Sequence, residues 1–215
     1  MAQALSNFLE KYVEGYLFED LRTMKNAQPA QGKDAGALGY PILMTAFAGI
    51  ELFGALLSTT KFEPYHGGEY FKAFWTKHLY PIEPRRAAGE PLYQLIRNGL
   101  AHLFITKGDN LVFKNAPQSH LVRTPDGLIC IDATQLADDL ERCYKSKAKD
   151  LILSGASAAR LSEIENNYRR QAENCIKSLQ KLPILPMAIN TDVASKSVPP
   201  SGIMVTSSSS SSWFK

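Results

Sequence analysis

The sequence predicts a mainly α-helical protein with a small β-hairpin insertion and a disordered C-terminal tail. Three observations predict it. Apolar residues recur at intervals of three and four over six segments, the period of an amphipathic helix. Between residues 104 and 132 that period gives way to short apolar runs around the turns KGDN and TPDG. From Leu182 onward it gives way to Pro183, Pro186, Pro199 and Pro200 and then the serine run Ser207–Ser212. The 215 residues suit one domain. We therefore expect a helical domain over residues 1–181 and a Pro/Ser-rich tail over 182–215. The tail cannot bury enough apolar surface to offset its ordering entropy.

The first helix is predicted from Ser6 to Met24, with Leu5, Phe8, Leu9, Tyr12, Tyr16, Leu17 and Leu21 on its core face. The loop NAQPAQGKDAGALG ends it. A second helix starts near Pro41, a residue suited to a first turn, and runs to Ser58. A third, Glu69 to Leu79, has Phe71, Phe74 and Trp75 as its apolar body and is stopped by Pro81 and Pro84. A fourth begins at Pro91 and buries Leu92, Leu95, Ile96, Gly99, Leu100 and Leu103. Two hairpins follow: 104–106 with 111–113, and 120–123 with 128–131. Asp132 with Gln135 three residues on has the form of a capping box. It opens a fifth helix carrying Leu136, Leu140 and Cys143. The sixth, Ser157 to Lys181, places Leu161, Ile164, Tyr168, Cys175, Leu179 and Leu182 on one side.

Composition narrows the function classes. The formal net charge is +3, so any phosphate binding must come from a local cluster. Cys130, Cys143 and Cys175 show no CxxC and no zinc-ligand spacing with histidine, and are expected to be free core thiols in a reducing compartment. No metal and no cofactor are expected. The segment MAQALSNFLEKY lacks a basic stretch leading into an apolar run, which makes the cytoplasm the expected location. Leu38 to Leu57 is as long as a membrane span but carries Glu51, and a carboxylate in mid-membrane is costly. It reads as the central buried helix of a bundle, with a single membrane anchor as the alternative.

The sequence contains no GxSxG, GxGxxG, HExxH or phosphate-loop motif. What remains is the fourth helix. Gln94, Asn98 and His102 fall at intervals of four and form one polar line. Arg97 lies about 100° round from Asn98 and is long enough to lean towards it. A guanidinium, an amide and an imidazole together suit a phosphodiester. Arginine offers phosphate a rigid fork of donors. Histidine moves protons near neutral pH, and asparagine can orient either partner. The same residues are also ordinary members of a solvated helix face. Arg97 and His102 are five apart, about 140° round a regular helix, so one helix does not aim both at one point. Two copies across a two-fold axis could.

The run RNGLAH, Arg97 to His102, on a helix that follows several earlier helices, resembles the motif of HEPN domains. The resemblance spans about residues 5 to 105. It implies an antiparallel helical bundle, a homodimer and a metal-independent ribonuclease, with Arg97, Asn98 and His102 of both protomers lining one cleft. It further implies RNA as the substrate, a 2′,3′-cyclic phosphate product, and an antitoxin or regulatory protein as a partner. The alternative within the same resemblance is a non-catalytic nucleotide-binding or protein-interaction module. Glu51 is the only charge between Asp34 and Lys61. A buried carboxylate needs a partner, and Arg97 is the natural one. Glu51 and Gln94 are therefore supporting residues. Arg85 and Arg86, just before the fourth helix, are candidates to hold a polyanion.

Overall fold

The computed structural model describes residues 2–29, 31–32, 38–103 and 110–179. The 182–215 tail and the expected strand at 104–106 lie outside the described residues. The chain divides into two units, Met1–Glu163 and Ile164–Lys215.

The predicted helices are present. Helix α1 covers residues 2–26: α-helical Ala2–Phe8, π-helical Leu9–Phe18 and α-helical Glu19–Asn26. Helix α2 is Gly39–Leu57. Helix α3 is Gly67–Phe74 with a closing π turn, Trp75–Leu79. A 3₁₀ turn, Arg85–Ala88, leads into α4, which comprises Gly89–Leu92, the π turn Tyr93–Arg97 and Asn98–Leu103. Helix α5 comprises Ala133–Cys143, the π turn Tyr144–Ala148 and Lys149–Ser154. Helix α6 is Ser157–Leu179.

In the first unit α2 is the central element and packs on α3, α4, α5 and the end of α1. Ile42, Leu43, Ala46, Phe47, Ile50 and Phe53 are all fully buried. Its length and composition match a membrane span, and 56% of that span is buried within the protein. Phe71, Phe74 and Trp75 of α3 are likewise fully buried, and Phe71 packs edge-on against Phe47 at 5.1 Å. Helices α2 and α3 meet at backbone distance. A Cβ on Gly54 would lie 1.9 Å from the carbonyl oxygen of Tyr70.

The end of α2 is capped from far along the chain. Ser157 Oγ donates to the Leu56 carbonyl at 2.8 Å. Arg160 donates from Nη2 to the carbonyls of Ser58, at 3.3 Å, and Thr60. Arg160 also pairs with Glu163, whose Oε2 accepts from the Phe62 amide at 3.2 Å. A cation at a helix C-terminus satisfies carbonyls that lack partners within the helix and complements the helix dipole.

Three expectations are corrected. First, α1 buries Leu5, Phe8, Leu9 and Leu21 as expected but Val13 and Phe18 in place of Tyr12 and Tyr16, and Tyr16 is exposed. The wider π winding takes the buried face through spacings of four and five, which an α-helical wheel misassigns. Second, the strands of the two expected hairpins do not stand apart: among the described residues they form one three-stranded sheet in the order β1-β3-β2, while the first hairpin's other arm, 104–106, lies outside those residues. The hairpin of β2 (Val122–Arg123) with β3 (Ile129–Asp132) forms as expected. Its turn is closed by Gly127 N–H to the Thr124 carbonyl at 2.9 Å, with Gly127 at φ +89°. Strand β1 (Asn110–Phe113) runs parallel to β3, with Leu111 opposite Cys130. Cys130, Ile131 and Asp132 are buried in succession, as befits a central strand covered on both faces. Third, the apolar stripe of α6 is not buried along its length. Leu161 and Ile164 are buried, whereas Tyr168 and Cys175 further along are exposed. Cys175 is thus not a core thiol, while Cys130 and Cys143 are buried and free.

The Gly54 contact makes a direct prediction. Gly54→Ala must push two backbones apart, since the obstructing atom is a carbonyl oxygen and not a flexible side-chain end. Urea unfolding should show a loss of about 3 kcal/mol; an unchanged midpoint would mean the helices are not this close.

Candidate functional site

Glu51 faces α4 from the middle of α2 and Arg97 reaches it from the end of the π turn. Arg97 Nε donates to Glu51 Oε1 at 2.6 Å and Nη2 to Oε2 at 3.3 Å, a two-pronged pair. The Glu51 side chain is 18% exposed and that of Arg97 30%, so the pair is only partly screened by water. Tyr93, one turn before Arg97, sits against both. The Arg97 guanidinium lies over its ring at 5.6 Å, and its hydroxyl bonds to Glu51. Burial, then the Glu51 carboxylate, raise the Tyr93 pKa, and Arg97 offsets part of that. The start of α3 closes over the group. A Cβ on Gly67 would be 2.8 Å from Glu51 Oε2 and 3.1 Å from the Tyr93 hydroxyl. Glycine at 67 is what lets the carboxylate sit there.

Two members of the expected polar line on α4, Gln94 and Asn98, are linked side chain to side chain. Asn98 Nδ2 donates to Gln94 Oε1 at 3.0 Å, and Gln94 Nε2 to Glu90 Oε1 at 3.2 Å. His102 is carried on the last turn of the same helix, within Asn98–Leu103, and its side chain lies outside the described residues. The structure therefore brings together Glu51 with Arg97, and Gln94 with Asn98, as two neighbouring groups on α4. Arg85 is not with them. Its guanidinium lies 5.8 Å over the Tyr80 ring and its carbonyl accepts from Trp75 Nε1 at 2.9 Å. Arg86 is exposed in the same 3₁₀ turn.

A second polar group was not visible in the sequence. Tyr80 after α3, His120 before β2 and Asp139 on α5 meet in the interior, each less than a tenth exposed. The Asp132 amide donates to His120 Nδ1 at 3.3 Å. Nδ1 is then the acceptor, so the proton of the neutral ring is on Nε2 and is given to the Tyr80 hydroxyl at 2.9 Å. Tyr80 in turn donates to Asp139 Oδ2 at 2.6 Å. Asp139 Oδ1 is held by Gln135 at 2.8 Å and Arg142 at 2.9 Å. Burial lowers the His120 pKa and, with Asp139, raises that of Tyr80. Every group in the chain has a partner, the condition for a polar network to stabilise an interior. The capping residue Asp132 was the one local sign of it. Its Oδ1 accepts from the Gln135 amide and its Oδ2 from the Ala116 amide, both at 2.6 Å. Gln135 spends its side chain on Asp139 instead of completing the capping box.

Among the described residues no group of three or more His, Cys, Asp and Glu side chains is placed to hold a metal ion. Compared with protein-family models, curated proteins and solved structures, the chain has no match. The fold and the two polar groups define it as a mainly α-helical protein with a small mixed sheet.

The depressed pKa of His120 makes stability depend on pH in a definite direction. The unfolded chain takes up a proton near pH 6.5, whereas the native ring does so only at lower pH. Stability is therefore complete above about 6.5 and is lost as pH falls from there towards the native pKa, by at most about 1.4 kcal/mol per pH unit. His78, also depressed by burial and by Lys147 and Lys77, adds to the slope. Unfolding of the parent and of His120→Gln between pH 7.5 and 5 should differ in slope by close to one proton; equal slopes would mean His120 is not buried neutral.

Proposed function

We propose that the protein is a metal-independent endoribonuclease that works as an HEPN-like homodimer. The observation that carries this reading is the two-pronged grip of Glu51 on Arg97, which fixes a guanidinium beside Asn98 on the helix that also bears His102. A preorganised donor costs no reorganisation as charge builds on a phosphorane. Glu51 and Tyr93 are positioning residues in this scheme. Asn98, aligned by Gln94, orients the phosphate or the imidazole.

The chemistry is an in-line transfer within RNA. His102 removes the proton of a 2′-hydroxyl, whose oxygen attacks the adjacent phosphorus. The bond from phosphorus to the 5′-oxygen breaks, and the partner subunit's His102 protonates that oxygen. The products are a 2′,3′-cyclic phosphate and a 5′-hydroxyl. Arg97 stabilises the charge on the non-bridging oxygens. Regulation by an antitoxin-like protein, a cytoplasmic location and no membrane attachment belong to the same reading. The burial of α2 within the bundle supports the last of these.

A second reading rests on the same ion pair. A guanidinium already matched by a carboxylate carries little net charge, which suits a non-catalytic nucleotide-binding or interaction module in which Arg97 ties α2 to α4.

The two readings give opposite results with RNA. For the enzyme, cleavage should persist in EDTA and leave cyclic phosphate ends. It should fall about 10²–10³-fold in Arg97→Ala and about 10²–10⁴-fold in His102→Ala, with the helical fold retained. Glu51→Gln should lower kcat more than it raises KM. A folded parent dimer that leaves RNA intact and binds nucleotides equally well with or without His102 would establish the module instead.

A further inference from the structure

Three side chains at successive turns of α4 form a chain of hydrogen bonds with one direction. Glu90 Oε1 accepts from Gln94 Nε2 at 3.2 Å, and Gln94 Oε1 accepts from Asn98 Nδ2 at 3.0 Å. The chain is anchored off the helix, where Lys72 Nζ of α3 lies 3.7 Å from Glu90 Oε2. Glu90 sets the direction. An ionised carboxylate only accepts, whereas an amide donates from one side of its carbon and accepts on the other. Glu90 therefore engages the amine of Gln94. That turns the Gln94 carbonyl towards Asn98, which answers with its own amine. The Asn98 carbonyl is left facing the other way along the line, and position 102 is the next turn on it. Among the described residues no donor reaches Asn98 Oδ1.

The two amides do not turn independently. Flipping one alone sets carbonyl against carbonyl or amine against amine and loses a bond, so the chain has two consistent states, forward and reversed. A single charge at the start of α4 selects the forward one, and two turns later the group offered beside position 102 is an acceptor. An acceptor there has a definite use. A histidine that works as a base needs one ring nitrogen free and the other ring N–H held, and a carbonyl beside it takes that N–H and fixes the tautomer. Phosphate oxygens only accept, so a carbonyl facing them has nothing to bond.

We propose that Glu90, anchored by Lys72, is a positioning residue that sets the orientation of the Gln94 and Asn98 amides, so that Asn98 holds the imidazole of His102 through its carbonyl and does not bind phosphate. The catalytic use of this chain rests on the ribonuclease reading of α4; its direction does not.

The test reverses the chain without changing the net charge. In Lys72→Glu/Glu90→Lys the pair to α3 is kept, but position 90 only donates, and both amides should turn. Nitrogen-15 spectra of the His102 ring at alkaline pH read its two neutral tautomers. Their ratio should move about fivefold or more from that of the parent, the weight of one hydrogen bond of about 1 kcal/mol. Adding Gln94→Glu to the exchanged pair returns an acceptor to Asn98 and should restore the parent ratio. Should the exchange lose its helical signal, Gln94→Lys alone, at an exposed position, reverses Asn98 directly and should give the same shift. In RNA cleavage the exchange should lower kcat about 10-fold or more with KM little changed, and Gln94→Glu should recover it. An unchanged ratio in both the exchange and Gln94→Lys, or a shift that Gln94→Glu does not reverse, would overturn the proposal even if the parent cleaves RNA. A parent that leaves RNA intact while the ratio responds as stated would support the chain and remove the ribonuclease reading.

Discussion

Helix α2 can be buried only if the negative charge of Glu51 is matched where it sits, because a carboxylate taken out of water without a counter-charge costs more than its neighbours' packing returns. The first unit is arranged around that requirement. Arg97 comes in from α4 to supply the charge, and Tyr93 one turn earlier supplies a hydroxyl and a ring face. The start of α3 closes over the group only because position 67 is glycine. Three helices thus converge on one carboxylate, and the residues that could perform chemistry on α4 are oriented by the same contact that secures the core. The structural role of Arg97 and the catalytic one proposed for it are therefore inseparable by deletion of Arg97 alone, which is why the conservative change at Glu51 is informative.

The helices were legible because their apolar faces are long and periodic. Phe71, Phe74 and Trp75 in α3, and Leu92, Ile96 and Leu100 in α4, occupy the interior as their spacing indicates. The Glu51–Arg97 pair was legible too, since a lone charge in an apolar helix states its need for a partner. Strand partnership was not. Leu111 to Phe113 reads as one arm of a hairpin, and no feature of it announces the parallel pairing with β3. Nothing in a four-residue run specifies the direction of its neighbour. The face of α1 was misread where the winding changes, at Tyr12 and Tyr16. Cys175 follows the stripe of α6 in sequence but not in burial.

The interior polar chain was beyond sequence reasoning for a different reason. Tyr80, His120 and Asp139 stand 40 and 19 residues apart, on three elements whose mutual placement is set by the packing of apolar neighbours. Each alone is an ordinary surface-type residue. Their meeting joins the sheet, the end of α3 and α5 through directional bonds, which apolar contact alone does not provide. The Arg160 and Ser157 cap on α2 belongs to the same category, since it satisfies helix carbonyls from about a hundred residues downstream.

Four of the helices contain stretches bonded from residue i to i+5, among them Asn98 to Tyr93 on α4, Tyr80 to Trp75 on α3 and Lys149 to Tyr144 on α5. Such a stretch accommodates one amino acid more than regular winding would. A single-codon deletion inside Tyr93–Arg97 could leave α4 helical while turning everything upstream of it by roughly a quarter of a rotation relative to Asn98 and His102. The phase between the ion pair and the polar line is thus written in chain length rather than in side-chain identity, and a substitution scan would pass over it.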